Sequence, residues 1–371
     1  MRQLIIVFFC LTCIYVSLSA QNIPQASSLL ETQLEDKNLA NQIELQSHFF
    51  PNKTQLSIAI VNGDMTNYIG VIRNNDTLTI TENQDLVFEI GSVSKVFTSI
   101  LFSKLIHDKK LSLDEKLTSI LPYTIESGPD DINEITLEML ANHTSGLPKI
   151  PSNLIPHMMA DQHNPYKAYA PQHMDEYLKN KITLDTIPGA MSAYSNLGTG
   201  LLGYVLTLTS KKSFEEMLQE YIFQPLDMKT STSLRSEINE GQLVLGLYPD
   251  GKETSNWDFT DAMVACGGIK SNATDMVKFV RKNLGGDVIY NLTHEPTFTI
   301  NESLEIGLGW HITKTPGDKM IWHNGGTGGY RSCMILNKKS QKAVIVLSNV
   351  SAYGQHSQNI DLLAFEIIKN L

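Results

Sequence analysis

The chain has 371 residues, 42% hydrophobic and 18% charged, a composition that supports a full core and excludes a disordered chain. Its net charge of −10 excludes an electrostatic nucleic-acid binder, because phosphates would be repelled. One large domain or two closely joined subdomains both suit this length, since single cores stop growing near about 250–300 residues.

Residues 1–20 carry one charge, Arg2, an apolar run from Leu4 to about Leu18, and the small residues Ser19 and Ala20. That pattern predicts a signal peptide, and hence a secreted or periplasmic protein over 21–371 with no stable membrane span after cleavage. "SSLLETQLEDKNLANQIELQSHF" has apolar residues at helical spacing, and "LSIAIVNGDMTNYIGVIRNND" then reads as a hairpin. From Ser92 to about Met228 the pattern is helical, which predicts a helical subdomain over about 96–260 inserted into the rest. Within it, Pro148 to Met174 is rich in proline and weakly periodic, and reads as a long surface loop.

Beyond Ala265, "LEIGLGWHIT", "DKMIWHN", "RSCMILNKK" and "KAVIVLSN" read as consecutive antiparallel strands. "SQNIDLLAFEIIKNL" follows as an amphipathic helix with Ile360, Leu363, Ile367 and Leu371 on one face. The expected class is α/β (α+β): an antiparallel sheet flanked by terminal helices, with an all-helical subdomain and a site at the junction. Cys266 and Cys333 remain beyond the signal segment, either as a disulfide or as two buried thiols.

Three constellations carry chemistry. In "FEIGSVSK" a helix opening at Ser92 places Ser92 and Lys95 on one face, where a lysine kept neutral by burial can take the serine proton. The same spacing also describes a capping serine and a surface lysine, but the apolar neighbours Phe88, Ile90, Val93 and Val96 bury this turn. In "AYSNLGTG", Tyr194 can relay a proton and Asn196 can offer both an amide donor and an acceptor to a substrate. In "WHNGGTGGYRS", Gly325 and Gly326 allow a strand backbone to approach a ligand, with His323 facing the same cleft. A glycine-rich hairpin is the plainer reading of that stretch. "GTGLLG" has no preceding strand and no βαβ setting, so it does not read as a dinucleotide site.

Ser92-x-x-Lys95, Tyr194-x-Asn196 and His323-x-Gly325, in that order, resemble the motifs of the serine β-lactamase and penicillin-binding protein superfamily. "FEIGSVSK" is similar to the nucleophile segment of class C β-lactamases, and "NHTSGLP", "YIFQPLDM" and "ACGGIKSNATDM" are similar to further family landmarks. The resemblance implies a β-lactamase/transpeptidase-like fold over about residues 28 to 371, with Ser92 as nucleophile and Lys95 and Tyr194 sharing the base role. It implies an oxyanion held by the N–H groups of Ser92 and Gly326, a substrate amide held by Asn196, and no metal or cofactor. The implied partner is a small molecule, a β-lactam or a D-amino-acid peptide or ester. A β-lactamase is the leading expectation; a D-alanyl-D-alanine carboxypeptidase, D-aminopeptidase or esterase, and a penicillin-binding sensor that acylates without turnover, are the alternatives.

The third motif departs from the resemblance, because class C β-lactamases usually carry Lys-Thr-Gly where this chain has His323, Asn324 and Gly325. Lysine there is a fixed charge for a substrate carboxylate, whereas histidine is mostly neutral at pH 7. Turnover of anionic substrates is therefore expected to fall as pH rises through the His323 pKa. Arg331 is a second candidate for that charge, set against a reading as a solvated strand-edge residue.

Overall fold

Strand-forming segments from the two ends of the chain meet in one nine-stranded antiparallel sheet. They are seen in a computed structural model that describes residues 29–371, so the expected signal segment lies outside the described residues. Near the N-terminus run β1 (Gln55–Asn62), β2 (Met65–Asn74) and β3 (Thr77–Thr81), followed by the short β4 (Phe88–Glu89). Two small strands, β5 (Gly246–Leu247) and β6 (Glu253–Thr254), pair with each other, and β7 (Lys270–Ser271) pairs with β4. The sheet is completed by β8 (Phe298–Asn301), β9 (Leu304–Ile306), β10 (His311–Thr315), β11 (Asp318–Gly326), β12 (Arg331–Asn337) and β13 (Lys342–Ser348). Its order is β3-β2-β1-β13-β12-β11-β10-β9-β8, so the last strand closes against the first, with Leu56 opposite Ser348.

The helices are α1 (Leu29–Gln33), α2 (Lys37–Ser47), α3 (Ser94–His107), α4 (Leu117–Ile120), α5 (Leu137–Ala141), α6 (Ile155–Ala160) and α7 (Pro171–Asn180). They continue with α8 (Asn196–Ser210), α9 (Phe214–Leu218), α10 (Ala273–Leu284), α11 (Val288–His294) and α12 (Asn359–Asn370). Side chains alternate across the strands, so each face of the sheet has its own core. Leu56, Ile58, Trp322, Cys333 and Val346 face the terminal helices, against Leu39, Ile43, Ile360, Leu363 and Ile367. Ala59, Met334, Leu336 and Ile345 face α3 and the helical region. α3 is buried all round from Ser94 to Ser103, its polar positions Lys95, Ser99 and Ser103 included, and Phe97 stacks on Phe279 of α10 at 3.9 Å between centroids.

Four local readings are refined. The N-terminal helical stretch is two helices, the second capped by Asp36, whose side chain accepts from the Leu39 N–H. "LEIGLGWHIT" is two strands: Gly309, at φ +71°, bends the chain so that its N–H reaches the Ala141 carbonyl at 3.0 Å, and a Cβ there would lie 2.9 Å from the Lys95 carbonyl. The Pro148–Met174 stretch contains a 3₁₀ turn at Ser152–Leu154, all of α6 and the start of α7. Cys266 and Cys333 are buried free thiols in the cores on opposite faces of the sheet.

Candidate active site

The site is built where β4 turns into α3. Gly91, at φ +51°, opens a 3₁₀ turn over Gly91–Val93, and α3 begins at Ser94. Ser92 therefore sits in the turn, two residues before α3 opens and not at its first position, and Lys95 follows in the first turn of α3. The two remain in contact: Lys95 Nζ donates to Ser92 Oγ at 3.2 Å.

Lys95 is fully enclosed, and its other two donors reach Asn196 Oδ1 at 2.8 Å and the Cys266 carbonyl at 2.6 Å. A buried ammonium needs such partners, because an unpaired one would be expelled or deprotonated. Tyr194 OH donates to Ser92 Oγ at 2.6 Å, so a segment 102 residues distant completes a three-way contact. Asn196 is the first residue of α8 and not part of the preceding loop; Ser195 caps the helix by accepting from the Gly198 N–H at 2.9 Å.

The opposite wall is the end of β11. A Cβ on Gly325 would collide with the Ile90 carbonyl, and a Cβ on Gly91 would lie 2.5 Å from Gly326 N. The Gly91–Ser92 turn and the Gly326 backbone thus face each other, an approach that these glycines permit. Ser332 of β12 donates to the Ile90 carbonyl at 2.8 Å and ties the turn to the sheet.

His323 lies two residues before Gly325 and shares its face, but it is buried to 1% exposure. Its Nδ1 donates to the Asn324 carbonyl at 2.5 Å, and Nε2 has no partner among the described residues. Burial holds its pKa well below the ordinary value, and His311, Lys95 and His143 push it the same way. The ring is neutral throughout the neutral range, so the expected fall of turnover through its titration cannot occur there.

Arg331 fits neither reading proposed for it. It lies on the face of the sheet that carries α12, where it pairs with Asp361, to which Asn324 Nδ2 also donates at 2.9 Å. It is not a solvated edge residue, since its side chain is 18% exposed.

Three further residues join the site. His143 packs against the Tyr194 ring in a tilted arrangement, 4.6 Å between centroids. Tyr166 OH accepts from Asn196 Nδ2 at 3.4 Å, and its ring stacks on Phe259 at 4.5 Å. Trp257 stands beside Tyr166, and its backbone N–H donates to the buried Glu89 side chain at 2.6 Å. His143 lies inside "NHTSGLP", so a signal was present without a role attached; nothing in the chain spacing marks the other two. Among the described residues no cluster of His, Cys, Asp and Glu is arranged to hold a metal ion, and no helix is long and apolar enough to cross a membrane.

The family model described as Beta-lactamase matches residues 56–367. The D-alanyl-D-alanine-carboxypeptidase/endopeptidase AmpH of Escherichia coli K12 is 24% identical over 339 residues, covering 85% of this chain and 86% of that protein. A β-lactamase of Yersinia enterocolitica is 27% identical over 248 residues, covering 64% of this chain and 58% of that protein. Among solved structures, a β-lactamase/D-alanine carboxypeptidase from Pseudomonas syringae aligns with a TM-score of 0.73 at 19% identity, over 92% of this chain and 98% of that one. A class C β-lactamase aligns with a TM-score of 0.73 at 18% identity, over 91% and 98%. The β-lactamase/transpeptidase-like fold expected from the motifs is thus the fold observed.

Proposed function

The chain belongs to the Beta-lactamase family, and from that premise we propose that it is an exported serine hydrolase that opens ester or amide bonds through an acyl-enzyme on Ser92. The observation that carries this reading is the double contact on Ser92 Oγ, with Tyr194 OH at 2.6 Å and Lys95 Nζ at 3.2 Å. The apolar run at residues 4–18 supports export.

With two N–H groups committed to Asn196 and Cys266, the remaining tetrahedral position of Lys95 faces Ser92. In the neutral amine that position is a lone pair, and it takes the serine proton as Oγ bonds to the substrate carbonyl carbon. The carbonyl π electrons move to oxygen, and the N–H groups of Ser92 and Gly326 meet that charge. Collapse breaks the bond to the leaving oxygen or nitrogen, which takes a proton from Tyr194; the Lys95 ammonium returns one to Tyr194. Water then attacks the acyl carbon, its proton passes to the leaving Ser92 oxygen through the same groups, and acid is released. Asn196 offers its amide to the acyl side of the donor.

Two donor classes come from likeness: β-lactam amides from the nucleophile segment, and D-alanyl peptides from the relatives named above. Intact-mass analysis with an activated ester and with a chromogenic β-lactam tests the mechanism. An adduct of acyl mass, with turnover lost in Ser92→Ala, is expected. Turnover that survives Ser92→Ala would overturn it, and a lasting adduct without turnover would identify a sensor.

A further inference from the structure

Resting on the Ser92 reading, we infer that this site takes uncharged esters or amides with an apolar or aromatic acyl group, and disfavours donors whose leaving side bears a carboxylate. β-Lactams, whose fused ring carries a carboxylate, fall in the disfavoured class.

The argument begins with charge. Three side chains near the site could carry positive charge, and none is free to meet such a carboxylate. Lys95 spends its three donors on Ser92, Asn196 and the Cys266 carbonyl. His323, on the cleft-facing side of β11, is buried among His311, Lys95 and His143 with no carboxylate to favour its charged form. Arg331 lies across the sheet, neutralised by Asp361. Lys149, whose carbonyl accepts from the Asn196 N–H at 2.9 Å, is exposed, so its ammonium offers only a solvent-screened attraction. A carboxylate brought against β11 would lose water and find no partner. The chain's net charge of −10 also gives no long-range help to an anion.

The other half of the argument is the wall beside Asn196. Tyr166, Phe259 and Trp257 lie in mutual ring contact, and Tyr353 extends the group outward at 6.5 Å from Trp257 between centroids. Tyr353 is 69% exposed, an apolar ring presented to solvent at the rim of a cleft. Tyr166 links this wall to the site through Asn196. Tyr166 and Trp257 are themselves buried, so a planar or aliphatic acyl group would meet chiefly Phe259 and the exposed Tyr353 ring and gain burial there.

The test compares p-nitrophenyl phenylacetate with its counterpart bearing a carboxylate on the nitrophenyl ring, each rate normalised to alkaline hydrolysis of the same ester. The uncharged ester should have the higher kcat/KM by roughly tenfold or more. His323→Lys should narrow that gap. Tyr353→Ala, at an exposed position that folding does not depend on, should lower the preference for phenylacetyl over acetyl esters about threefold or more. Equal or faster turnover of the anionic ester, abolished by Ser92→Ala, would overturn this substrate class and leave the Ser92 mechanism standing. Turnover that persists in Ser92→Ala would overturn the mechanism, and the substrate class with it. An acyl preference unchanged in Tyr353→Ala would overturn the role of the aromatic wall.

Discussion

His143 grips Tyr194 on both flanks. Its carbonyl accepts from the Ala193 N–H at 2.8 Å, its Nδ1 accepts from the Ser195 N–H at 3.3 Å, and its ring lies against the phenol between them. To make these contacts His143 adopts φ +63°, a left-handed conformation that is uncommon for a residue with a side chain. Nδ1 must carry a lone pair to accept, and burial holds the ring neutral by pushing its pKa well down.

His143→Ala should therefore lower kcat by about 10- to 100-fold, with a smaller change in KM, because the phenol loses its aim more than the substrate loses contacts. His143→Asn should recover part of that loss, since asparagine tolerates the left-handed region and its Oδ1 can accept from Ser195. Steady-state kinetics on one ester, with circular dichroism to verify the fold, separates the two variants. Equal loss in both would refute a positioning role.

Lys95→Met keeps the length of the side chain and removes the base. Turnover should drop by roughly 10²–10⁴-fold, and Ser92 should label more slowly with a fluorophosphonate probe. Asn196 Oδ1 and the Cys266 carbonyl also lose their buried donor, so Lys95→Arg, which restores charge without the geometry, should not rescue activity. Labelling at the native rate in Lys95→Met would contradict the assignment.

Acid should destabilise the fold through its buried histidines. Burial holds His311 down to about 4 and His294 down to about 3, and holds His143 and His323 well below their ordinary value. Above the unfolded pKa of about 6.5 all four are neutral in both states and no stability is lost. As pH falls below that value the unfolded chain binds protons that the folded one refuses, and the loss continues until the folded pKa is passed. For His311 alone this amounts to on the order of 3 kcal/mol between neutrality and its folded pKa. Urea unfolding at pH 7, 6 and 5 should show a falling midpoint, and His311→Gln should flatten the slope.

Arg331 and Asp361 form a partly buried pair, each on its own a costly charge. Arg331→Met should cost about 1–3 kcal/mol by leaving Asp361 uncompensated, whereas Arg331→Met combined with Asp361→Leu should return most of it. Denaturant titration of the two singles and the double gives the coupling. Because the pair lies across the sheet from Ser92, kcat of the folded double variant should stay close to native.

The contrast between Lys95 and Arg331 shows how far the sequence could be read. Ser92 and Lys95 are three residues apart, so local geometry brought them together in advance. Tyr194 and Asn196 became legible only through the joint resemblance, since no spacing rule links them to Ser92. The strand pattern of the C-terminal half was readable from alternation, but its interruption at Gly307–Trp310 depends on the contact of Gly309 with α3 and α5, which is tertiary. For Arg331, alternation fixes the face on which it lies relative to Gly325, but not that α12 brings Asp361 to that face. His143, Tyr166 and Trp257 were missed for the same reason: their partners are remote in the chain, and ring contacts leave no periodic trace.

The tie from Ser332 to the Ile90 carbonyl fixes the Gly91–Val93 turn to strands in the interior of the sheet, where each neighbour is held on both sides. The rings of Trp257 and Tyr353, by contrast, sit on segments outside any strand. On the acyl-group reading proposed above, substitutions at the exposed Tyr353 would alter which acyl groups are accepted while leaving the distances among Ser92, Lys95 and Tyr194 as they are. Selection on diet and selection on rate would then fall on different parts of the chain, and a change of substrate need not begin with a damaged catalyst.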